Sequence, residues 1–257
     1  SSVGVLASAM LAGSLLPSLA QSTTQFTVPA GCTAFLTVQS RGCTVAHYWN
    51  CSADPEGTFW RVAIDEEGPY YLSHSDAEYR WLQNYELTSG AEAVLIEPEE
   101  DPASMTELLE TGSDRMVFSM QRTEAGVTFQ RDYDGSDNLT GAEIEIDGRR
   151  LLLTEFTYSF ETEAGTLMVN GNQFVDPEQR LFFGGIETVQ IDDNPPIAAD
   201  YSPREFIDPG GPGFLGTLPL YDCGDTMSGL SLPLGSQLVR FDPAQSEIVG
   251  RIISASR

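Results

Sequence analysis

Hydrophobic and polar residues alternate with a period of two along much of the chain, most clearly between residues 140 and 189. Phe156, Tyr158 and Phe160 share one face of such a run, and glutamate, threonine and serine residues share the other. Alternation of this kind is typical of an antiparallel strand with one buried face. The stretch therefore predicts consecutive antiparallel strands joined by short turns.

One turn is indicated by the dipeptide Asp147-Gly148, which lies between two β-prone runs. Both residues tolerate the positive φ angles of a two-residue type I′ turn. With that turn, Ile144 faces Leu151 across the hairpin. Ala142 would face Leu153 one step further from the turn, so that apolar residues meet on one face.

Two further features of the pattern predict departures from a simple hairpin. Core residues are odd-numbered up to Leu153 and even-numbered from Phe156 onward, so we expect an extra residue, a β-bulge, between them. The dipeptide Asn170-Gly171 has the same turn chemistry as the first hairpin. It predicts a second hairpin in which Leu167 lies opposite Phe174.

The rest of the chain predicts mainly short strands. One helix is expected over Pro102 to Glu110, with Asp101 as its N-cap and Gly112 after its end. The stretch from Asp192 to Gly216 is rich in proline, glycine and aspartate, which predicts a long covering loop. Further strands are expected at residues 34–38, 44–49, 58–65, 70–75, 79–85, 91–97, 218–220 and 238–253. The fold class is therefore all-β, an antiparallel meander curved into a barrel, half-barrel or sandwich, with one short helix.

The amino end has the composition of a signal peptide. Residues 3–19 are apolar or small and uncharged, and Ser18-Leu-Ala20 provides the small residues that signal peptidases accept. A membrane anchor is the alternative, but glycines and Pro17 interrupt a run that is already short for a membrane span. We predict a signal peptide over residues 1–20 and a single periplasmic or secreted domain over residues 21–257.

The charge of the chain excludes several classes of function. Aspartate and glutamate number 38 against 13 basic residues, all of them arginine, and the formal net charge is −25. Without lysine the chain has no Schiff-base or lysine-nucleophile chemistry. An acidic protein of this kind is not expected to bind nucleic acid or an anionic membrane surface.

A run of alternating oxygen-bearing residues predicts one metal site. It resembles the calcium loop of the EF-hand family at six positions, which are Asp132, Asp134, Ser136, Asn138, Thr140 and Glu143. The resemblance implies a calcium ion held by these side chains. Asp137 stands where the family has glycine, and the flanking residues favour strands over helices. The alternative is a solvent-exposed hairpin loop without metal, and no other cofactor is expected.

Four cysteines allow three pairings if all are oxidised, and they are Cys32, Cys43, Cys51 and Cys223. A four-residue hairpin loop with Gln39 opposite Thr44 would place Cys32 opposite Cys51, within reach of a disulfide. Cys43 would then pair with Cys223. The alternative joins Cys43 to Cys51 and requires the second strand to fold back on itself.

These observations support three hypotheses about function. The first is a non-enzymatic extracytoplasmic binding protein that holds an apolar small molecule or an envelope protein between sheet and helix. It depends on the aromatic strand from Phe156 to Phe160 and on Phe182 and Phe183. The second is a secreted hydrolase that uses a carboxylate pair, for which the acidic clusters Asp65 to Glu67 and Glu97 to Asp101 are candidates. The third is a structural envelope protein.

Overall fold

A computed structural model describes residues 24–224 of the chain. Within this range the chain forms one helix, α1 (Met105–Thr111), and thirteen strands. The strands are β1 (Cys32–Ser40), β2 (Thr44–Cys51), β3 (Phe59–Asp65), β4 (Gly68–Ser75), β5 (Trp81–Glu86), β6 (Ala91–Asp101), β7 (Ser113–Glu124), β8 (Val127–Ile146), β9 (Arg149–Thr162), β10 (Gly165–Asp176), β11 (Leu181–Ile191), β12 (Ile197–Asp200) and β13 (Pro203–Ile207).

All thirteen strands belong to one sheet, in which β1 to β12 pair in chain order and β13 pairs with β1. The predicted all-β antiparallel meander is therefore confirmed. Its edge strands, β12 and β13, are separated only by Tyr201 and Ser202. Tyr201 N donates to Gly185 O at 2.9 Å, and Arg41 N donates to Ser202 O at 2.9 Å. The sheet thus curves until its edges meet at this link, although strand pairing does not close it.

The prediction of one long covering loop from Asp192 to Gly216 is wrong over residues 197–207, which contain β12 and β13. The last part of this stretch does cover the sheet. Phe26 N donates to Leu215 O at 2.7 Å, and Leu215 N donates to Thr37 Oγ1 at 3.0 Å. The chain therefore uses the acidic, proline-rich region both to complete the sheet and to cover it.

Strands β1 to β4 are buried on both faces. On the outer face, Trp49, Trp60 and Leu72 form a cluster with Phe26, and Leu215 packs against it. On the inner face a second cluster joins these strands to the far half of the sheet, and it includes Leu36, Tyr48, Phe174, Leu181, Phe183 and Phe206. The inner cluster occupies part of the space that the curved sheet encloses.

The single helix begins later than predicted, at Met105, because Ser104 and not Asp101 is the N-cap. The Ser104 hydroxyl accepts a hydrogen bond from Glu107 N at 3.1 Å, which satisfies a free amide of the first turn. The helix ends as expected at Gly112, which adopts a left-handed conformation with φ of 88°. Met105 and Leu108 pack on Val175, so the helix is held against β10.

The Asp147-Gly148 turn is confirmed, with φ angles of 48° and 75°. Ile144 pairs with Leu151 as predicted, but the pairing of Ala142 with Leu153 is wrong. The register shifts between the pairs Leu139–Thr154 and Glu143–Leu152. The bulge therefore lies on β8, opposite Leu153. Its predicted position between Leu153 and Phe156 is wrong, because β9 pairs regularly with β10 over this interval. Phe156 is buried, as predicted.

The second predicted hairpin, at Asn170-Gly171, is wrong. Both residues lie inside β10, which continues to Asp176. A Cβ atom on Gly171 would lie 2.1 Å from Ile186 O, so the glycine permits a close approach of two strands. The register of β10 and β11 shifts at this point, between Gly171 and Gln173. Asn170-Gly171 therefore lies at a bulge within a strand. The same dipeptide is typical of two-residue turns, so its chemistry alone does not separate the two cases.

Both predicted disulfides are present, Cys32–Cys51 and Cys43–Cys223. The register from which they were predicted is wrong by one residue near the hairpin loop. Ser40 pairs with Thr44 where Gln39 was expected, and a register shift between Ala34 and Leu36 restores the opposition of the first cysteine pair. Two disulfides are typical of proteins in oxidising compartments outside the cytoplasm.

Two predictions concern residues outside the described range, the signal peptide over residues 1–20 and a strand over residues 238–253. Residues 218–220, which were also predicted as a strand, have no regular secondary structure. Between residues 24 and 224 the only helix is seven residues long, and none is long and apolar enough to cross a membrane.

Candidate ligand-binding cavity

A cavity of about 360 Å³ lies between the two halves of the curved sheet, and we call it the central cavity. Ligand pockets usually have volumes of about 300–1,000 Å³, so this one is large enough for a small organic molecule. One wall comes from β1 to β5 and the other from β9 to β11. The side chains that define its chemistry are Tyr48, Arg61, Tyr70, Tyr71, Tyr79, Tyr158, Glu187 and Tyr201.

Strand alternation and one bulge explain why so many polar groups point inward. On β3, Trp60 and Val62 belong to the outer cluster, so Arg61 between them faces the cavity. On β4, the register with β3 shifts between the pairs Ala63–Tyr71 and Ile64–Pro69. Tyr70 is the extra residue at this bulge, and it lines the cavity together with Tyr71.

Arg61 is the main cationic group of the central cavity. Its Nε donates to the Tyr48 hydroxyl at 3.2 Å, and its guanidinium carbon lies 5.9 Å from the centre of the same ring. No carboxylate oxygen of residues 24–224 lies within 4.0 Å of its nitrogens. Burial disfavours the charged form, but the surrounding tyrosines, Tyr48 first, outweigh it and raise the pKa of Arg61. The cavity thus contains a charged guanidinium with no carboxylate in direct contact among the described residues.

Glu187 is the carboxylate that lines the same cavity. Burial raises its pKa, and the positive charge of Arg61 opposes that rise. Its neutral form is therefore favoured more than in an exposed glutamate, which weakens its competition for Arg61. Burial also raises the pKa of five tyrosines of the cavity, so these hydroxyls remain protonated hydrogen-bond donors. They are Tyr70, Tyr71, Tyr79, Tyr158 and Tyr201, and the pKa of Tyr201 is about 12.

A second, smaller cavity of about 60 Å³ lies beside the start of α1, and we call it the side pocket. Its acidic groups include Asp114 on β7 and Asp137 on β8, which pair directly across the two strands. Side chains opposite each other in an antiparallel pair lie about 5 Å apart at Cβ. The pairing therefore places two carboxylates close together.

The two carboxylates are buried and only partly hydrogen-bonded. Asp114 and Asp137 are 4% and 7% exposed, and the Oδ1 atom of each has no hydrogen-bond partner among residues 24–224. Asp114 Oδ2 accepts from Ser104 N at 3.0 Å. Burial raises the pKa of Asp114 to about 6. Burial, followed by the charge of Asp114, raises the pKa of Asp137 to about 7.

Besides the two aspartates and the polar residues Glu78, Ser104 and Gln173, the walls of the side pocket are aromatic and apolar. They include Trp81, Met116 and Phe156, and no arginine or histidine lines the pocket in the described part of the chain. Several residues line both cavities, so the two spaces adjoin, and these are Tyr79, Trp81, Tyr158, Gln173 and Phe182.

The structure brings some of the aromatic residues named from the sequence to these cavities. Tyr158, Phe182 and Phe183 line the central cavity, and Phe156 lines the side pocket. Phe160 packs at 5.1 Å from Tyr133 and lies away from both cavities.

The residues of the calcium hypothesis are not brought together. Four of them, Asp132, Asp134, Ser136 and Asn138, alternate along the extended strand β8, and Glu143 follows the bulge. Alternate residues of a strand lie about 6.6 Å apart. The side chains contact β7 residues, as in the hydrogen bond from Ser119 Oγ to Asp132 Oδ1 at 2.6 Å. Calcium binding here stays a prediction.

One group of three metal-binding residue types converges within residues 24–224, and it consists of Cys43, Glu66 and Cys223. The two sulfurs are joined in a disulfide, so they are not available as thiolate ligands. Side chains of the acidic clusters considered for a hydrolase make local contacts. Asp65 Oδ1 accepts from Gly68 N at 3.1 Å within a turn, and Glu97 and Glu99 pair with Arg80.

Sequence reasoning missed Arg61, Glu187 and the Asp114–Asp137 pair. One signal was present for the pair. The dipeptide Ala125-Gly126 forms a two-residue turn with φ angles of 50° and 81°, and it sets the register that places the two aspartates opposite each other. Alanine is not a favoured residue at positive φ, so the turn was not recognised.

Comparisons of this chain with protein-family models, curated proteins and solved structures find no match.

Proposed function

We propose that the protein is a non-enzymatic extracytoplasmic binding protein, periplasmic or secreted, for a small organic acid. The observation that carries the proposal is Arg61, a guanidinium that faces the central cavity and has no carboxylate within 4.0 Å among residues 24–224. A partly buried charge that no opposite charge balances is destabilising, and a bound anion would compensate it. Arginine binds carboxylates with two parallel hydrogen bonds, which fits this class of ligand.

The other lining residues favour a ligand with an apolar body. Phe182, Phe183 and Trp81 provide aromatic surface, and the tyrosine hydroxyls provide donors that help to hold an anion. The ligand is thus more polar at one end than the apolar molecule expected from the sequence. Its apolar part fits the aromatic residues on which that expectation depended.

Binding of matched acids and amides tests this proposal. We expect 3-phenylpropanoate to bind in isothermal titration calorimetry at least tenfold more tightly than 3-phenylpropanamide, because only the acid pairs with Arg61. Arg61→Gln should lose this preference. Arg115→Gln is the control, since Arg115 is exposed and pairs with Asp101 and Asp134. Equal binding of acid and amide, or an unchanged preference in Arg61→Gln, would contradict the proposal.

A hydrolase that uses a carboxylate pair is the second candidate, because Asp114 and Asp137 form such a pair. Acid and base roles usually require environments that separate the two pKa values, one low and one high. Here both values are raised, to about 6 and about 7. The pair is better suited to binding a proton. No contact among the described residues favours a structural envelope protein.

A further inference from the structure

Glu187 is a second charged group of the central cavity, and the binding of a simple acid does not use it. Its side chain is partly buried, lines the cavity and makes no hydrogen bond with residues 24–224. Neighbouring residues of a strand point to opposite faces of the sheet, and Ile186, one residue earlier, is 52% exposed. The Glu187 carboxylate therefore points inward and is free to contact a bound molecule.

The charged and titratable groups around Glu187 place its carboxylate close to Arg61. Burial is the main cause of the raised pKa of Tyr70, Tyr158 and Tyr201, and the charge of Glu187 adds to it in each case. Burial also raises the pKa of Glu187, and the positive charge of Arg61 opposes that rise. The two groups thus interact, yet their nitrogen and oxygen atoms are more than 4.0 Å apart. A ligand group can lie between them.

A simple anion at Arg61 leaves the Glu187 carboxylate without a partner. In its ionised form Glu187 repels an anion in the same cavity, and its partial burial adds a cost of desolvation. A positively charged donor on the ligand removes both effects. Hydrogen bonds between charged groups are about twice as strong as those between neutral groups, so an ammonium group suits this position better than a hydroxyl.

We propose that the ligand of the central cavity is an amino acid with an apolar side chain, whose carboxylate binds Arg61 and whose ammonium group binds Glu187. This inference rests on the proposed function, because it assigns the second charged group of the same site. A hydrogen bond of about 2.9 Å at each end lets the two charges of an amino acid join protein groups that do not touch. Trp81 and Phe182, which also line the cavity, provide an aromatic surface for the side chain.

Calorimetric titration of the full chain with phenylalanine at pH 7 tests this inference. The reference ligand is 3-phenylpropanoate, which differs from phenylalanine only by the missing ammonium group. We expect the tighter-binding enantiomer of phenylalanine to bind at least tenfold more tightly than 3-phenylpropanoate. It should also bind at least tenfold more tightly than 3-phenyllactate, which has a hydroxyl in place of the ammonium group.

Glu187→Gln should lose the preference for phenylalanine over 3-phenylpropanoate and keep the preference for 3-phenylpropanoate over its amide. Glu155→Gln is the matched control, because Glu155 is an exposed glutamate on β9, and it should retain both preferences. A measurement on the wild type keeps the inference testable if Glu187→Gln does not fold. Saturation with phenylalanine should lower the pH at which the ¹³C resonance of the Glu187 carboxyl titrates, whereas 3-phenylpropanoate should raise it.

Three results would each overturn the inference: phenylalanine binding no more tightly than 3-phenylpropanoate or 3-phenyllactate, an unchanged preference in Glu187→Gln, or a Glu187 titration that phenylalanine does not lower. If the wild type still prefers 3-phenylpropanoate over its amide, the proposed acid site at Arg61 stands without the amino-acid inference. Equal binding of that acid and its amide would instead refute the acid site itself.

Discussion

Replacing Asp137 by asparagine should stabilise the protein at alkaline pH. The Asp137 carboxyl is 7% exposed and lies opposite Asp114, and burial is the larger cause of its raised pKa, followed by the charge of Asp114. Asparagine has nearly the same shape and no charge. The substitution therefore removes the cost of an ionised buried group without leaving a cavity.

The size and sign of the effect follow from the linkage between protonation and folding. Raising the pKa of Asp137 from 3.8 to about 7 corresponds to about 4 kcal/mol. Between these two values the folded protein retains a proton that the unfolded chain has released. The cost is therefore absent below about pH 4, grows as the pH rises, and is fully present above about pH 7. Asp137→Asn should gain about 4 kcal/mol at pH 8 and about 2 kcal/mol at pH 5.

Urea unfolding followed by tryptophan fluorescence at pH 5 and pH 8 measures both gains. Asp134→Asn is the control, because its exposed carboxyl should change the free energy of unfolding by less than about 0.5 kcal/mol at either pH. A gain in Asp137→Asn that is equal at the two pH values would show that the carboxyl is not ionised at a cost in the folded protein. A loss of stability at pH 8 would show that the carboxylate makes a favourable contact there.

Two further predictions concern the framework of the sheet. Replacing both Cys43 and Cys223 by serine opens a loop of 180 residues. The chain-entropy model gives a loss of about 5 kcal/mol in the free energy of unfolding, against about 3 kcal/mol for loss of the Cys32–Cys51 disulfide. Equal losses in urea unfolding would contradict this difference. Gly171→Ala would place a Cβ atom 2.1 Å from Ile186 O, so we expect it to lower the free energy of unfolding by more than about 2 kcal/mol. Asn170→Ala, one residue earlier, should lower it less. A Gly171→Ala variant as stable as the wild type would refute the close approach.

The sequence predicted the parts of the fold that local chemistry determines. Period-two alternation and the Asp147-Gly148 turn specify a strand and a turn within a few residues, and both are present. The cysteine pairing was also right, but through two deviations that cancel. The β1–β2 loop is one residue shorter than assumed, and a bulge at Phe35 compensates for it. Two register differences that offset each other therefore leave Cys32 opposite Cys51.

The predictions that failed depend on contacts between distant residues. Asn170-Gly171 has the chemistry of a turn, and only the approach of β11 at Ile186 shows why glycine is required inside a strand. The candidate site has the same origin. Asp114 and Asp137 are 23 positions apart, and their opposition follows from a register that begins at an Ala-Gly turn. Arg61 faces inward only because the curved sheet has a covered outer surface, which composition does not reveal.

The ionisable groups in the interior of the sheet support the proposal that it binds a ligand. The cost of ionising Asp137, about 4 kcal/mol at pH 8, is a large fraction of the 5–15 kcal/mol by which domains are usually stable. Arg61 adds a partly buried charge with no carboxylate within 4.0 Å among residues 24–224. Well-packed apolar residues at these positions would remove the cost of the uncompensated charges. Strongly shifted pKa values in a cleft are characteristic of functional sites. A ligand that brings an anion to Arg61 adds a favourable contact to the folded protein, so bound ligand should raise the stability of the whole sheet.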